Sequence, residues 1–186
     1  PAPMNEEFLS ESIFQHINDS TLLFNLIKNI ITQKFGRLES FLIAKNNKLV
    51  LEEYFFNFDK TQIHNTFSCT KSVVSLLCGI ALSEHGKLDV DQSVFTFFPN
   101  LSELKTKENE KIKLKDVLTM TAGLHPLGED YTIESQELLM RDILSQPQDT
   151  FPGSAFRYNI EGPYLLGGII FNLTGKQVEE YAREKL

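Results

Sequence analysis

The stretch that most constrains the fold runs from Thr66 to Leu82. Its opening, Thr66-Phe67-Ser68-Cys69-Thr70-Lys71-Ser72, is polar. Its longer remainder, Val73-Val74-Ser75-Leu76-Leu77-Cys78-Gly79-Ile80-Ala81-Leu82, is almost wholly apolar. A helix of that composition is expected to be buried on most sides, so the rest of the chain must be arranged around it. His85-Gly86 offers a glycine stop at its end. Ser68 and Lys71 stand three apart at its mouth, which on a helix puts them on one face, one turn apart. Burying a lysine there is costly unless the charge is used or compensated.

That pair has a specific chemistry open to it. A serine hydroxyl is a poor nucleophile until a base removes its proton. A free lysine, with a pKa near ~10.4, keeps its own proton, but burial beside apolar groups lowers that value and frees the amine as a base. A helix N-terminus adds backbone N–H groups and a positive dipole end where negative charge develops. Ser68 is therefore a candidate nucleophile and Lys71 its candidate base. Spacing alone leaves open a plainer pair, an N-cap serine beside a snorkelling lysine. The chain has 13 serines and 14 lysines, so about one Ser-x-x-Lys arises by chance. A second copy, Ser102-Glu103-Leu104-Lys105, does occur, in a charged segment expected to be solvated.

The other segments are read from periodicity and turn chemistry. Residues 6–35 carry apolar positions at helical spacing, broken at Asn18-Asp19-Ser20, with Ser20 as the cap of the longer piece and Gly36 as its close. Leu38–Ala44 and Leu49–Phe56 read as two strands joined by Lys45-Asn46-Asn47-Lys48, because asparagine tolerates the positive φ of a hairpin turn. Two strands alone make a marginal sheet, so the chain calls for more. Leu88 to Pro99 reads as a loop with buried anchors, and residues 102–115 as a solvated charged segment. Leu114–Thr121 reads as a short helix stopped by Ala122-Gly123, and residues 133–145 as another helix. Phe151-Pro152-Gly153 reads as a turn, Gly162–Leu173 as a helix or a buried strand, and Gln177–Leu186 as a last amphipathic helix.

With 186 residues, 41% of them hydrophobic, the chain can bury a core without metal or disulfide. The net charge of −7 argues against a nucleic-acid partner, which wants a basic face. Cys69 and Cys78 lie roughly 13 Å apart along a helix, too far to bridge. The histidines have no metal-ligand spacing, and no phosphate loop, dinucleotide fingerprint or Gly-x-Ser-x-Gly elbow occurs. No cofactor is expected, and no run is apolar and long enough to span a membrane. Pro1-Ala2-Pro3 ahead of Met4 reads as an addition before a native start. With Met4 as that start the protein would be bacterial and cytoplasmic. With a leader removed ahead of it, it would be extracytoplasmic.

A series of segments gives the pair a context. Phe67–Ser72 is followed by Gly86-Lys87-Leu88-Asp89-Val90-Asp91, Phe98-Pro99, Ile112–Leu124, Pro152-Gly153-Ser154-Ala155-Phe156-Arg157-Tyr158, and Leu165–Ile170 with Thr174-Gly175-Lys176. In this order, from about Leu38 to the end, they resemble the serine β-lactamase-related family of class C-type β-lactamases, D-alanyl-D-alanine carboxypeptidases and esterases. The resemblance implies an α+β, serine β-lactamase/transpeptidase-like fold. Residues 1–59 would be the N-terminal part of its sheet lobe and 60–186 the helical lobe carrying the nucleophile helix. It implies a serine hydrolase acting through an acyl-enzyme on a β-lactam, a D-Ala peptide or a carboxylic ester, so the partner is a small-molecule or peptide substrate. Tyr158 matches the tyrosine of the family's Tyr-x-Asn element and would relay protons between Ser68, Lys71 and the leaving group. Two departures stand out. Ile160 occupies the position of that element's asparagine, which in the family helps hold the lysine and a substrate amide. Asn159, one residue early, is not expected to replace it. The family's third element, Lys-Thr-Gly or His-x-Gly on a downstream strand, does not occur before Leu186, so the chain is expected to be the N-terminal portion of a longer protein. The other class of function open to such a chain is that of an inactive relative that binds a ligand or a protein.

Overall fold

Residues 9–128 and 130–186 are described in the computed structural model of the chain. Expectations placed on residues 1–8, the start at Met4 included, lie outside them. The chain divides into two compact units between Asn65 and Thr66.

The first unit is a small sheet with one helix. Strand β1 (Leu9–Ser10) is followed by a 3₁₀ turn at Ile13–Gln15, helix α1 (Thr21–Ile31), β2 (Ser40–Lys45) and β3 (Lys48–Tyr54). β2 and β3 pair antiparallel through the expected turn, where Asn46 and Asn47 take φ of 50° and 58°. The third strand was not expected: β1 pairs parallel with the free edge of β3, giving the order β1-β3-β2. Leu9 therefore belongs to a strand and not to the helical run read from its spacing, because the open hairpin edge supplies hydrogen-bond partners that local periodicity does not report. The α1 cap also differs. Ser20 stands at the N-cap position with no capping bond, while Asp19 Oδ1 accepts the Thr21 N–H at 2.8 Å. α1 ends at Ile31, before Gly36. Gln33 already has φ of 55°, and Gly36 makes the following turn.

The second unit is helical. α2 (Cys69–Glu84) ends at His85-Gly86 as expected, with Gly86 at φ of 63°. It is followed by α3 (Leu114–Leu118), α4 (Gln136–Leu144), α5 (Glu161–Thr174) and α6 (Val178–Lys185). α5 lies at the centre, packed against α2, α3, α4 and α6. Val74, Leu77, Cys78, Ala81 and Leu82 of α2 are buried, the spacing of a single helical face. α2 is not covered on most sides: Leu76 is 65% exposed and Val73 39%. Gly162–Leu173 is helix, not strand, and Gly175 closes it at φ of 72°.

The anchors expected between Leu88 and Pro99 are Val94, Phe95, Phe97 and Phe98, all buried. The charged segment 102–115 is only partly solvated. Asn109, Ile112 and Leu114 are buried in it. Asn109 is fully engaged, with Nδ2 donating to the Leu104 and Leu144 carbonyls at 3.0 and 3.2 Å and Oδ1 accepting the Thr106 N–H at 2.7 Å. A buried amide satisfied in this way can sit under a charged stretch at little cost. Among the described residues no helix is long and apolar enough to cross a membrane.

Candidate active site

Ser68 is the N-cap residue of α2, with φ −68° and ψ −11°. Its side chain does not cap the helix. Instead Oγ accepts a hydrogen bond from the Tyr158 hydroxyl at 2.6 Å and another from Lys71 Nζ at 3.2 Å. The Lys71 ammonium also lies 5.2 Å from the centroid of the Tyr158 ring. The three side chains named from the sequence thus converge on one oxygen. Phe67, just before Ser68, holds φ of 43°, a left-handed conformation that costs a non-glycine residue about 1–2 kcal/mol. The strain lies where the chain turns to present Ser68.

Tyr158 is placed by a ladder between two irregular segments. His125 N–H donates to the Pro147 carbonyl, Asp149 N–H to Gly123, Gly153 N–H to Thr121 and Arg157 N–H to Met120, at 2.8–3.0 Å. Gly123 (φ 74°) lets the two segments approach, since a Cβ there would overlap the Thr150 carbonyl. Beyond Tyr158, Asn159 Nδ2 donates to the Arg157 carbonyl and its Oδ1 accepts the Gly162 N–H, both at 2.8 Å. Asn159 is therefore spent on joining the Tyr158 segment to the start of α5, which is why it does not stand in for the asparagine that Ile160 replaces. Ile160 is 51% exposed. With Lys71, Thr70, Ile133 and Tyr164 it lines a pocket of about 460 Å³.

The site is more open than the sequence suggested. Ser68 is exposed, Lys71 half-buried and Tyr158 57% exposed. The hydrogen bond with Ser68, and next the one with Lys71, draw the Tyr158 hydroxyl below the usual tyrosine value. The rival pair is not assembled in the same way. Ser102 is exposed, and Lys105 Nζ lies 5.8 Å from the centroid of the Phe95 ring. Cys69 and Cys78 are both free. The bridging role of Asn159 and the ion cluster around Asp149 were missed from the sequence. The asparagine two residues ahead of the α5 start was the available signal for the first, whereas the second depends on a contact between distant segments.

A family model described as Beta-lactamase matches residues 37–186. Protein flp of Staphylococcus aureus (strain MW2) is 28% identical over 155 residues, covering 76% of this chain and 31% of flp. N-acetylmuramyl-L-alanine amidase of Bacillus subtilis (strain 168) is 32% identical over 116 residues, covering 56% of this chain and 26% of the amidase. The solved octameric penicillin-binding protein homologue of Pyrococcus abyssi superposes with a TM-score of 0.67 at 22% identity, over 91% of this chain and 42% of that one. The fold is that of serine β-lactamases and penicillin-binding proteins. The chain spans about a third or less of the curated relatives it matches and under half of the solved one.

Proposed function

The chain belongs to the Beta-lactamase family, a family of hydrolases, and from that premise we propose that it carries the nucleophile of a serine hydrolase acting through a covalent acyl-enzyme on an ester or amide. The observation that carries this reading is the pair of hydrogen bonds converging on Ser68 Oγ, from Tyr158 at 2.6 Å and Lys71 at 3.2 Å.

Ser68 Oγ attacks the substrate carbonyl carbon and the carbonyl π pair moves onto its oxygen. The Ser68 N–H, at the mouth of α2, is the donor this chain offers that oxyanion. In the structure both hydrogen bonds run into Ser68 Oγ, so attack requires one partner to give up its own proton first, after which that bond reverses and takes the Ser68 proton. Lys71 is the acceptor suggested by the sequence, with Tyr158 as relay. The shorter contact and the lowered phenol favour Tyr158 as the direct acceptor, with the Lys71 charge stabilising the phenolate. Collapse of the tetrahedral intermediate breaks the bond to the leaving group, which takes that proton from Tyr158. Water, losing a proton to the same phenolate, then releases the acid and restores Ser68. With Ile160 in place of a polar amide partner, an ester is the favoured substrate over a β-lactam or D-Ala peptide.

The test is turnover by the protein at its full natural length, with a chromogenic carboxylic ester and a chromogenic cephalosporin. Ester turnover that disappears in Ser68→Ala is expected. No turnover, with ligand binding unchanged in Ser68→Ala, would instead make the protein a binding module.

A further inference from the structure

Tyr158 is 57% exposed, so core packing does not select the direction of its ring. Its aim depends on how firmly its main chain is held. On one side Asn159 bridges to α5. On the other, Arg157 is held twice, by its N–H to the Met120 carbonyl at 3.0 Å and by its guanidinium Nη1 to Asp149 Oδ2 at 2.6 Å. Asp149 is in turn fixed by its own N–H to the Gly123 carbonyl at 2.8 Å, and its carboxylate meets His125 Nδ1 at 3.0 and 3.2 Å. One carboxylate thus ties the residue beside Tyr158 to the segment following α3. Resting on the serine-hydrolase reading above, we propose that Asp149 is a positioning residue: with Arg157 and His125 it forms a bracket that aims the Tyr158 hydroxyl at Ser68.

The bracket adds little to stability. Arg157 and His125 are half exposed, at 50% and 55%, and exposed ion pairs contribute little. Its value is in geometry, because a misplacement of about 1 Å in a reacting group can cost ~10²-fold in rate. Arginine keeps its charge at every working pH. Arg157, and next His125, hold the Asp149 carboxyl below the usual carboxylate range, so the carboxylate of the bracket is ionised throughout the neutral range.

The experiment is a double-mutant cycle in the full-length protein. It is read as the rate of Ser68 labelling by a fluorophosphonate, by intact mass, and as kcat and KM on a chromogenic ester. Asp149→Asn is expected to lower the labelling rate and kcat by about 10- to 100-fold, with KM little changed, and to have no further effect in a Tyr158→Phe background. Arg157→Gln, which opens the same link from its exposed end, should show the same loss and the same silence, and Arg157→Lys should recover part of the rate. Equal fold-losses in the two backgrounds, or no loss on the unmutated one, would overturn the positioning role. If Tyr158→Phe itself leaves labelling and turnover unchanged, the role of Tyr158 fails and the bracket's function fails with it.

Discussion

Gly168 of α5 provides a test in which two effects of opposite sign compete. In a helix interior, replacing glycine with alanine adds about 1 kcal/mol of helix propensity. A Cβ on Gly168 would lie 2.5 Å from Met140 Sδ, 3.0 Å from Phe98 Cε1 and 3.2 Å from Met140 Cγ. Both neighbours are buried, at 4% and 3% exposed, so neither moves freely. Such overpacking costs about 1–3 kcal/mol, which leaves Gly168→Ala destabilised by roughly 0–2 kcal/mol. Gly79 of α2 is the control, because a Cβ there meets nothing within 4 Å, and Gly79→Ala should gain up to about 1 kcal/mol. The propensity gain is common to both, so the gap between the variants isolates the overpacking at about 1–3 kcal/mol. Urea unfolding followed by far-ultraviolet circular dichroism measures it as the gap between the two midpoints at unchanged slope. Equal upward shifts in the two variants would refute the close approach of α5 to α4 and Phe98.

Three further outcomes are expected. Cys69 is exposed, while burial pushes the Cys78 thiol up to about 12. A thiol reagent should therefore add once to the native chain and twice in urea, as read by mass. Asn47 holds φ of 58° in the hairpin turn, so Asn47→Val should lower stability by about 1–2 kcal/mol in the same urea assay. The Tyr158 phenol is depressed, so its ionised form is favoured. Any stability from that shift is present above the ordinary tyrosine value of ~10 and lost as pH falls through the lower folded value. In the full-length protein the rise of ester-turnover rate with pH due to Tyr158 should have its midpoint below ~10, and Tyr158→Phe should remove that limb and cost about 10²–10⁴-fold.

What the sequence carried was mostly local. The hairpin was legible because Asn46-Asn47 encodes its turn. α2 was legible because an apolar run ends in His85-Gly86. Ser68, Lys71 and Tyr158 could be named together because the segments around them come in family order, although spacing alone left the Ser102 copy as a rival. The unread parts depend on distant contacts. β1 exists because β3 offers it an edge. Residues 102–115 looked solvated, yet Asn109 reaches the Leu144 carbonyl, 35 positions away. Lys71 looked buried because a helical run does not reveal which of its faces is covered. Asp149 meets His125 and Arg157 through a ladder that no short pattern announces.

The central claim is that Ser68 is the acylated nucleophile. Its most direct measurement is the intact mass, with peptide mapping, of the full-length protein after exposure to a fluorophosphonate and to a β-lactam. A single fluorophosphonate adduct on Ser68, absent in Ser68→Ala and slowed in Tyr158→Phe, is predicted. An unmodified Ser68, or an adduct that persists elsewhere in Ser68→Ala, would contradict it.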